Sequence, residues 1–198
     1  MKLNWAERWV VNNPLRVLEQ SAQVRWMKGV ASLKPGARVL EVGCGRGAGA
    51  ALVLKTFRRE GVFATDLDVE MIRRARRYLT ASQKSPIRLA AADASDLPFG
   101  SSAFDAVFVF GVLHHVPVWQ RGLEEIARVL RPGGLLYLEE LYPTLYQNCI
   151  TRHILLHPTE NRFGSDDLKS ALQNQGFSFL GMREVKLVGI LAVLRKAS

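Results

Sequence analysis

The sequence predicts an α/β fold built on a seven-stranded, mostly parallel sheet. Helices cover both faces, and an antiparallel hairpin ends the chain. Three observations predict this. Short apolar runs alternate with helical patterns from residue 38 to residue 140, the rhythm of parallel βαβ units. One run, Val39-Leu40-Glu41-Val42, leads into a glycine-rich corner that opens a helix. Two late strand-like runs meet at the short Leu187-Val188-Gly189 junction. With 198 residues and ordinary hydrophobicity, a single domain over residues 1–198 has enough chain for a sizeable core.

Composition excludes several classes. No apolar run reaches the roughly 20 residues of a transmembrane helix. Met1-Lys2-Leu3-Asn4-Trp5 lacks a secretory apolar region. Cys44 and Cys149 are the two cysteines, and neither has a C-x-x-C partner. That argues against structural zinc and for a reducing, cytoplasmic setting. The formal charge of +9 could attract nucleic acid, anionic lipid or an acidic small molecule. It is dispersed, with no like-charge block longer than two residues, so it reads as a solvated basic surface.

Residues 1–34 read as a helical cap. Trp5 and Trp9 lie four apart, and Val24, Met27, Val30 and Ala31 recur at helical spacing. Pro14 suits a break or a helix start. Tryptophans beside Lys2, Arg8 and Arg16 would also suit a membrane-surface face. No sustained basic amphipathic pattern accompanies them, which favours a cap over a ligand. Residues 35–140 form the core. Lys34-Pro35-Gly36-Ala37 is a turn, and Arg38 to Val42 a buried first strand. The corner Gly43-Cys44-Gly45-Arg46-Gly47 then starts a helix running to about Arg59. Glycines let a ligand press on the backbone, and the helix start offers free N–H groups to an anion. Gly43, Gly45 and Ala48 also satisfy the dinucleotide fingerprint.

Val62 to Asp66 is the second strand. Asp66 lies about 20 residues past the corner, where a carboxylate accepts from a ribose diol. Asp68 is the better cap for the next helix, about 69–81. That helix carries Arg73, Arg74, Arg76 and Arg77 on more than one face, and a solvated surface is the default. Residues 87–91 are a third strand, followed by Ala92-Asp93-Ala94-Ser95. Residues 104–110 are a fourth, ending at Phe110 and followed by Leu113-His114-His115. A helix from Trp119 to Leu130 stops at Arg131-Pro132-Gly133-Gly134. Residues 135–140 are the fifth strand. Residues 141–198 hold a substrate-side segment and the hairpin. Tyr142, Tyr146, His153 and His157 are its reactive types, without metal-site spacing. A helix capped near Ser165 precedes strands at about 178–186 and 189–195.

The spacing of Glu41, Gly43, Gly45 and Gly47 resembles motif I of class I S-adenosylmethionine (SAM) methyltransferases. Asp93-Ala94, Leu113-His114-His115 and Val129 to Gly134 resemble segments of the ubiquinone/menaquinone-methylase-like group, methyltransferase type 11. That resemblance implies a Rossmann-like fold with SAM as cofactor and S-adenosylhomocysteine as product. It implies that Gly43, Cys44, Gly45 and Gly47 cradle the methionine end and that Glu41 holds its ammonium through water. Asp66 would bind the ribose, and Asp93 the adenine amino group. The backbone at Ala94 would meet the ring, with Leu67, Met71 and Phe110 beside it. The acceptor would be a small molecule or a lipid-like or quinone-like compound. The alternatives are RNA or protein methylation, nicotinamide (NAD)-dependent oxidoreduction, and SAM binding without transfer. The sulfonium is already activated, so alignment matters more than a base. His115 and Tyr142 are the candidates where an acceptor must lose a proton, and no metal is expected.

Overall fold

The computed structural model describes residues 14–146 and 160–198. Trp5, Trp9, Cys149, His153, His157 and the Tyr146 side chain lie outside what it describes. Helix α1 (Pro14–Val30) begins at its proline, as fixed φ and a missing N–H favour. Strands β1 (Val39–Val42), β2 (Val62–Asp66) and β3 (Ile87–Ala91) alternate with α2 (Ala48–Phe57) and α3 (Val69–Tyr78), then a short α4 (Ala81–Lys84). Next come β4 (Phe104–Phe110), a 3-10 turn at Leu113–His115, α5 (Trp119–Val129) and β5 (Leu130–Leu141). The described chain continues with a short α6 (Pro143–Tyr146), α7 (Ser165–Asn174), β6 (Phe177–Val185) and β7 (Gly189–Lys196).

The seven strands form one sheet in the order β3–β2–β1–β4–β5–β7–β6. The pairs among β1 to β5 are parallel, while β7 runs antiparallel to both β5 and β6. Alternation along each strand divides the core. Leu40, Val107, Val109, Leu136 and Leu138 face α5 and α7, with Ile126 and Leu168. Val39, Ala106, Phe108 and Tyr137 face α1 and α2, with Met27, Val53 and Phe57. Phe108 and Tyr137 stack at 4.2 Å, and the Tyr137 hydroxyl donates to the Ala31 carbonyl at 2.9 Å. A central strand buried on both faces explains the unbroken apolar run of β4 after Asp105.

Three boundaries differ from expectation. The helix of residues 69–81 stops at Tyr78, although Leu79 stays buried as the pattern implied. Residues 131–134 do not separate α5 from β5. The strand starts at Leu130 opposite Phe104, then slips so that Ala106 faces Leu135. Gly133, at φ 71°, lies within the bulge that absorbs the extra residues. At α7 the cap is Gly164, whose N–H donates to Asp167 at 2.9 Å, and Ser165 is already helical.

Candidate active site

Strand β1 sends its connection one way to β2, and β4 lies on its other side. Such a switch point opens a crevice at the carboxyl ends of the strands. The crevice here is a cavity of about 430 Å3. Its walls include Glu41, Gly43, Cys44 and Gly45 from the corner, and Asp66, Leu67 and Met71 from the end of β2 and the start of α3. Asp93 and Ala94 follow β3, Phe110 ends β4, and His115 follows it. The sequence-predicted residues thus converge, apart from Gly47 and Tyr142.

Gly47 does other work. It caps α2 at φ 85°, and a side chain there would press on Ala75 and Leu79 of α3. Gly43, at φ 72°, is held against Val112, which a Cβ would strike. Tyr142 is the second correction. It is buried away from the cavity and donates to Glu184 at 2.7 Å. Burial and that carboxylate push its phenol well above the ordinary value, so it is not poised as a base. The Glu184 carboxylate also accepts from Ser165 and Lys169, each at 2.5 Å.

The acids differ in how they are satisfied. The Asp66 carboxylate accepts the Gly45 N–H at 2.8 Å and the Asp68 N–H at 2.9 Å. It thereby ties the glycine corner to the end of β2. Burial pushes its pKa up, and these two N–H groups pull it back. Asp68 caps α3 as expected, accepting from Glu70 at 3.0 Å. Asp93 accepts the Ser95 N–H at 2.8 Å, which shapes the turn after β3. Glu41 is buried, and among the described residues its Oε2 has no hydrogen-bond partner. Burial drives this carboxyl well above its usual range, the Ala50 N–H opposes, and the Asp66 charge adds to the rise. Burial likewise raises the Cys44 thiol, helped by Glu41 and Asp66.

Several residues in or behind the wall escaped the sequence reading. Glu139, which lines the cavity, and Glu140 lie near the end of β5 on opposite faces. Glu139 pairs with Arg16 of α1, and Glu140 receives backbone N–H groups of Val112 at 2.9 Å and Leu113 at 2.7 Å. His114 Nδ1 lies 2.8 Å from Glu140 Oε2. Two acids closing an apolar strand were the available signal, because buried carboxylates require partners. Arg46 was also missed. Its guanidinium sits 4.8 Å from the Tyr78 ring centroid, and its buried Nε has no acceptor among the described residues. Among the described residues no group of histidine, cysteine and acid side chains could hold a metal ion. No helix there is long and apolar enough to cross a membrane.

Comparison with known proteins agrees with this geometry. A family described as a methyltransferase domain matches residues 40–138. The fatty-acid O-methyltransferase of Mycolicibacterium smegmatis is 40% identical over 108 residues, which is 54% of this chain and 38% of that protein. This chain therefore spans well under half the length of that relative. The demethylmenaquinone methyltransferase of Bacillus cereus is 27% identical over 183 residues, 89% of this chain and 77% of that protein. A SAM-dependent methyltransferase from Aquifex aeolicus superposes with a TM-score of 0.76 at 20% identity, covering 98% of this chain and 99% of that one, and so shares its fold. The sheet, its terminal hairpin and the matched span agree: the chain belongs to the methyltransferase domain family.

Proposed function

We propose that the chain transfers a methyl group from SAM to a small, lipid-like acceptor. The observation that carries this is the buried Glu41 Oε2 in the cavity wall, an acceptor to which no donor among the described residues bonds. A buried carboxylate oxygen left bare is costly, and a bound ammonium removes the cost. The methionine end of SAM carries one ammonium and one carboxylate. Arg46, whose Nε has no acceptor among the described residues, supports the same fit from the other charge. Gly43 and Gly45 leave the backbone bare beside them. Asp66 retains lone pairs for a ribose diol after accepting its two N–H groups. Asp93 and the buried Ala94 stand where an adenine would be read. Leu67, Met71 and Phe110 supply apolar surface for its ring.

Bound there, SAM supplies a methyl group on a sulfonium sulfur that needs no further activation. The protein's contribution is then to align and to exclude water. His115 lines the cavity and is the residue we assign to deprotonation where an acceptor requires it. The acceptor would enter past Leu141, Leu145 and Val188, which also line the cavity. Leu187 and Val185 extend this apolar surface along the hairpin, at 68% and 63% exposure. The fatty-acid enzyme among the relatives supports the same class. We read the chain as one domain, with α1 as the cap that brings Arg16 and Gln20 to the cavity.

The test is isothermal titration with SAM, followed by transfer of labelled methyl to fractionated cell extract. Expected are binding at one site and label in the lipid fraction. Binding with label only in RNA or protein would move the acceptor class. Binding of NAD in place of SAM would overturn the reading.

A further inference from the structure

A second concave surface lies at the opposite end of the sheet. It is a cleft of about 750 Å3 at the amino ends of β1, β2 and β3. Arg38, Arg58, Arg59 and Arg88 line it. They are scattered over residues 38 to 88, so only the fold assembles them. Among the described residues, none of the four guanidiniums pairs with a carboxylate, whereas Arg16, Arg128 and Arg131 each hold one. Glu60 lines the cleft without joining an ion pair. Nearby Asp105 is taken by Arg131 and by the Arg38 backbone N–H.

Local roles do not absorb this charge. Arg59 donates to the carbonyls of Phe57 at 3.0 Å and Lys34 at 2.6 Å, which fixes it at the wall. The carbonyl end of α2 contributes roughly half a negative charge. Four guanidiniums against that and one glutamate still leave an excess of about two to three positive charges. Arg38 and Arg88 lie on the Phe63 ring, 5.8 and 5.1 Å from its centroid. Both side chains are exposed, and guanidiniums suit both a phosphate and the face of a base. A concave wall suits a narrow chain better than the broad face of a folded protein.

We propose that this cleft binds the phosphodiester backbone of a single-stranded nucleic acid, remote from the cofactor cavity. The full chain is titrated into labelled oligouridine and oligothymidine by fluorescence anisotropy, without SAM, across a salt series. Arg58→Glu/Arg88→Glu is compared with Arg73→Glu/Arg76→Glu, an equal charge change on the exposed face of α3. The cleft variant should bind about tenfold or more weakly. Its slope against log salt should fall by about 0.7 for each lost phosphate contact. The α3 variant should retain most of the affinity. Thermal melts establish that both variants fold. Equal losses in the two variants, or an unchanged slope, would overturn the proposal in favour of diffuse charge. Displacement of the oligonucleotide by polyglutamate at equal charge would overturn it in favour of an acidic protein. Because SAM is left out, neither outcome depends on the cofactor reading.

Discussion

His114 Nδ1 sits 2.8 Å from Glu140 Oε2, and both side chains are sealed from solvent. The same carboxylate holds the Val112 and Leu113 N–H groups, and Arg162 grips the loop from the other side through the His114 carbonyl. One strand-end acid therefore fixes the loop that carries His114 and His115 to the cavity. Glu140→Gln replaces an acceptor by an amide that also donates, and strands at least one buried N–H. Each such orphan costs about 1–3 kcal/mol. Denaturant unfolding should show a loss of that order. A variant as stable as the parent would show that the loop is held by something else.

Gly49 tests Glu41 without touching it. A methyl group at Gly49 would overlap Glu41 Oε1 and approach Gln20 Nε2. Alanine in a helix interior ordinarily gains about 0.5–1 kcal/mol over glycine. At this position it must push the Glu41 carboxylate aside. Gly49→Ala should therefore weaken SAM binding by about tenfold or more while melting no higher than the parent. Full affinity in calorimetry would remove Glu41 from the cofactor site.

Glu41 should also make cofactor binding proton-linked. Its carboxyl is raised well above the ordinary range, first by burial. A carboxyl raised on folding favours the folded state below its ordinary pKa, and that contribution is lost as pH rises through the raised value. A bound ammonium favours the ionised form, so binding expels the proton. SAM affinity should rise with pH until Glu41 is ionised in the free protein. Binding enthalpies measured in buffers of different ionisation heat should reveal proton release, absent in Glu41→Gln. Equal release in parent and variant would assign the proton to another group.

Much of the fold was legible because its signals are local. β2, β3 and β4 carry short, mostly apolar runs, broken by Arg88 in β3 and Asp105 in β4, and the observed strands cover those runs. The residues gathered at the cavity were legible where a spacing carried them, as at Glu41, Gly43, Gly45 and Asp66. What the sequence hid are partnerships across the chain. Arg16 and Glu139 are 123 residues apart, and no periodicity joins them. The arginines of the lower cleft are hidden in the same way. Tyr142 misled because residue type alone cannot reveal that a phenol is already bonded to Glu184. Asp66 ends β2, where its run placed it, but its grip on the Gly45 N–H was not legible.

That grip changes what Asp66→Asn should do. Asparagine keeps the size but loses one acceptor, so either Gly45 or Asp68 gives up its N–H partner. The corner would loosen, and the ribose contact would weaken at the same time. We expect SAM affinity to fall by about tenfold or more together with a stability loss on the order of 1 kcal/mol, read as a modest drop in melting temperature. A fall in affinity with unaltered melting would mean that Asp66 serves the ligand alone.

Glu184 gives a prediction in the acid range. Despite burial, which acts to raise it, hydrogen bonds from Lys169, Ser165 and Tyr142 hold its carboxyl down at about 2, against an ordinary 4.5. A depressed carboxyl stabilises the fold above its unfolded value, and the contribution disappears as pH falls from about 4.5 to about 2. This acid joins β6 to α7 and to Tyr142 just past β5, so its loss loosens the hairpin side of the molecule. Glu184→Gln should melt below the parent near neutral pH, and the gap should close as the pH approaches 2. Melting curves collected across that range decide the matter. A gap of constant size would assign the effect to packing rather than to charge.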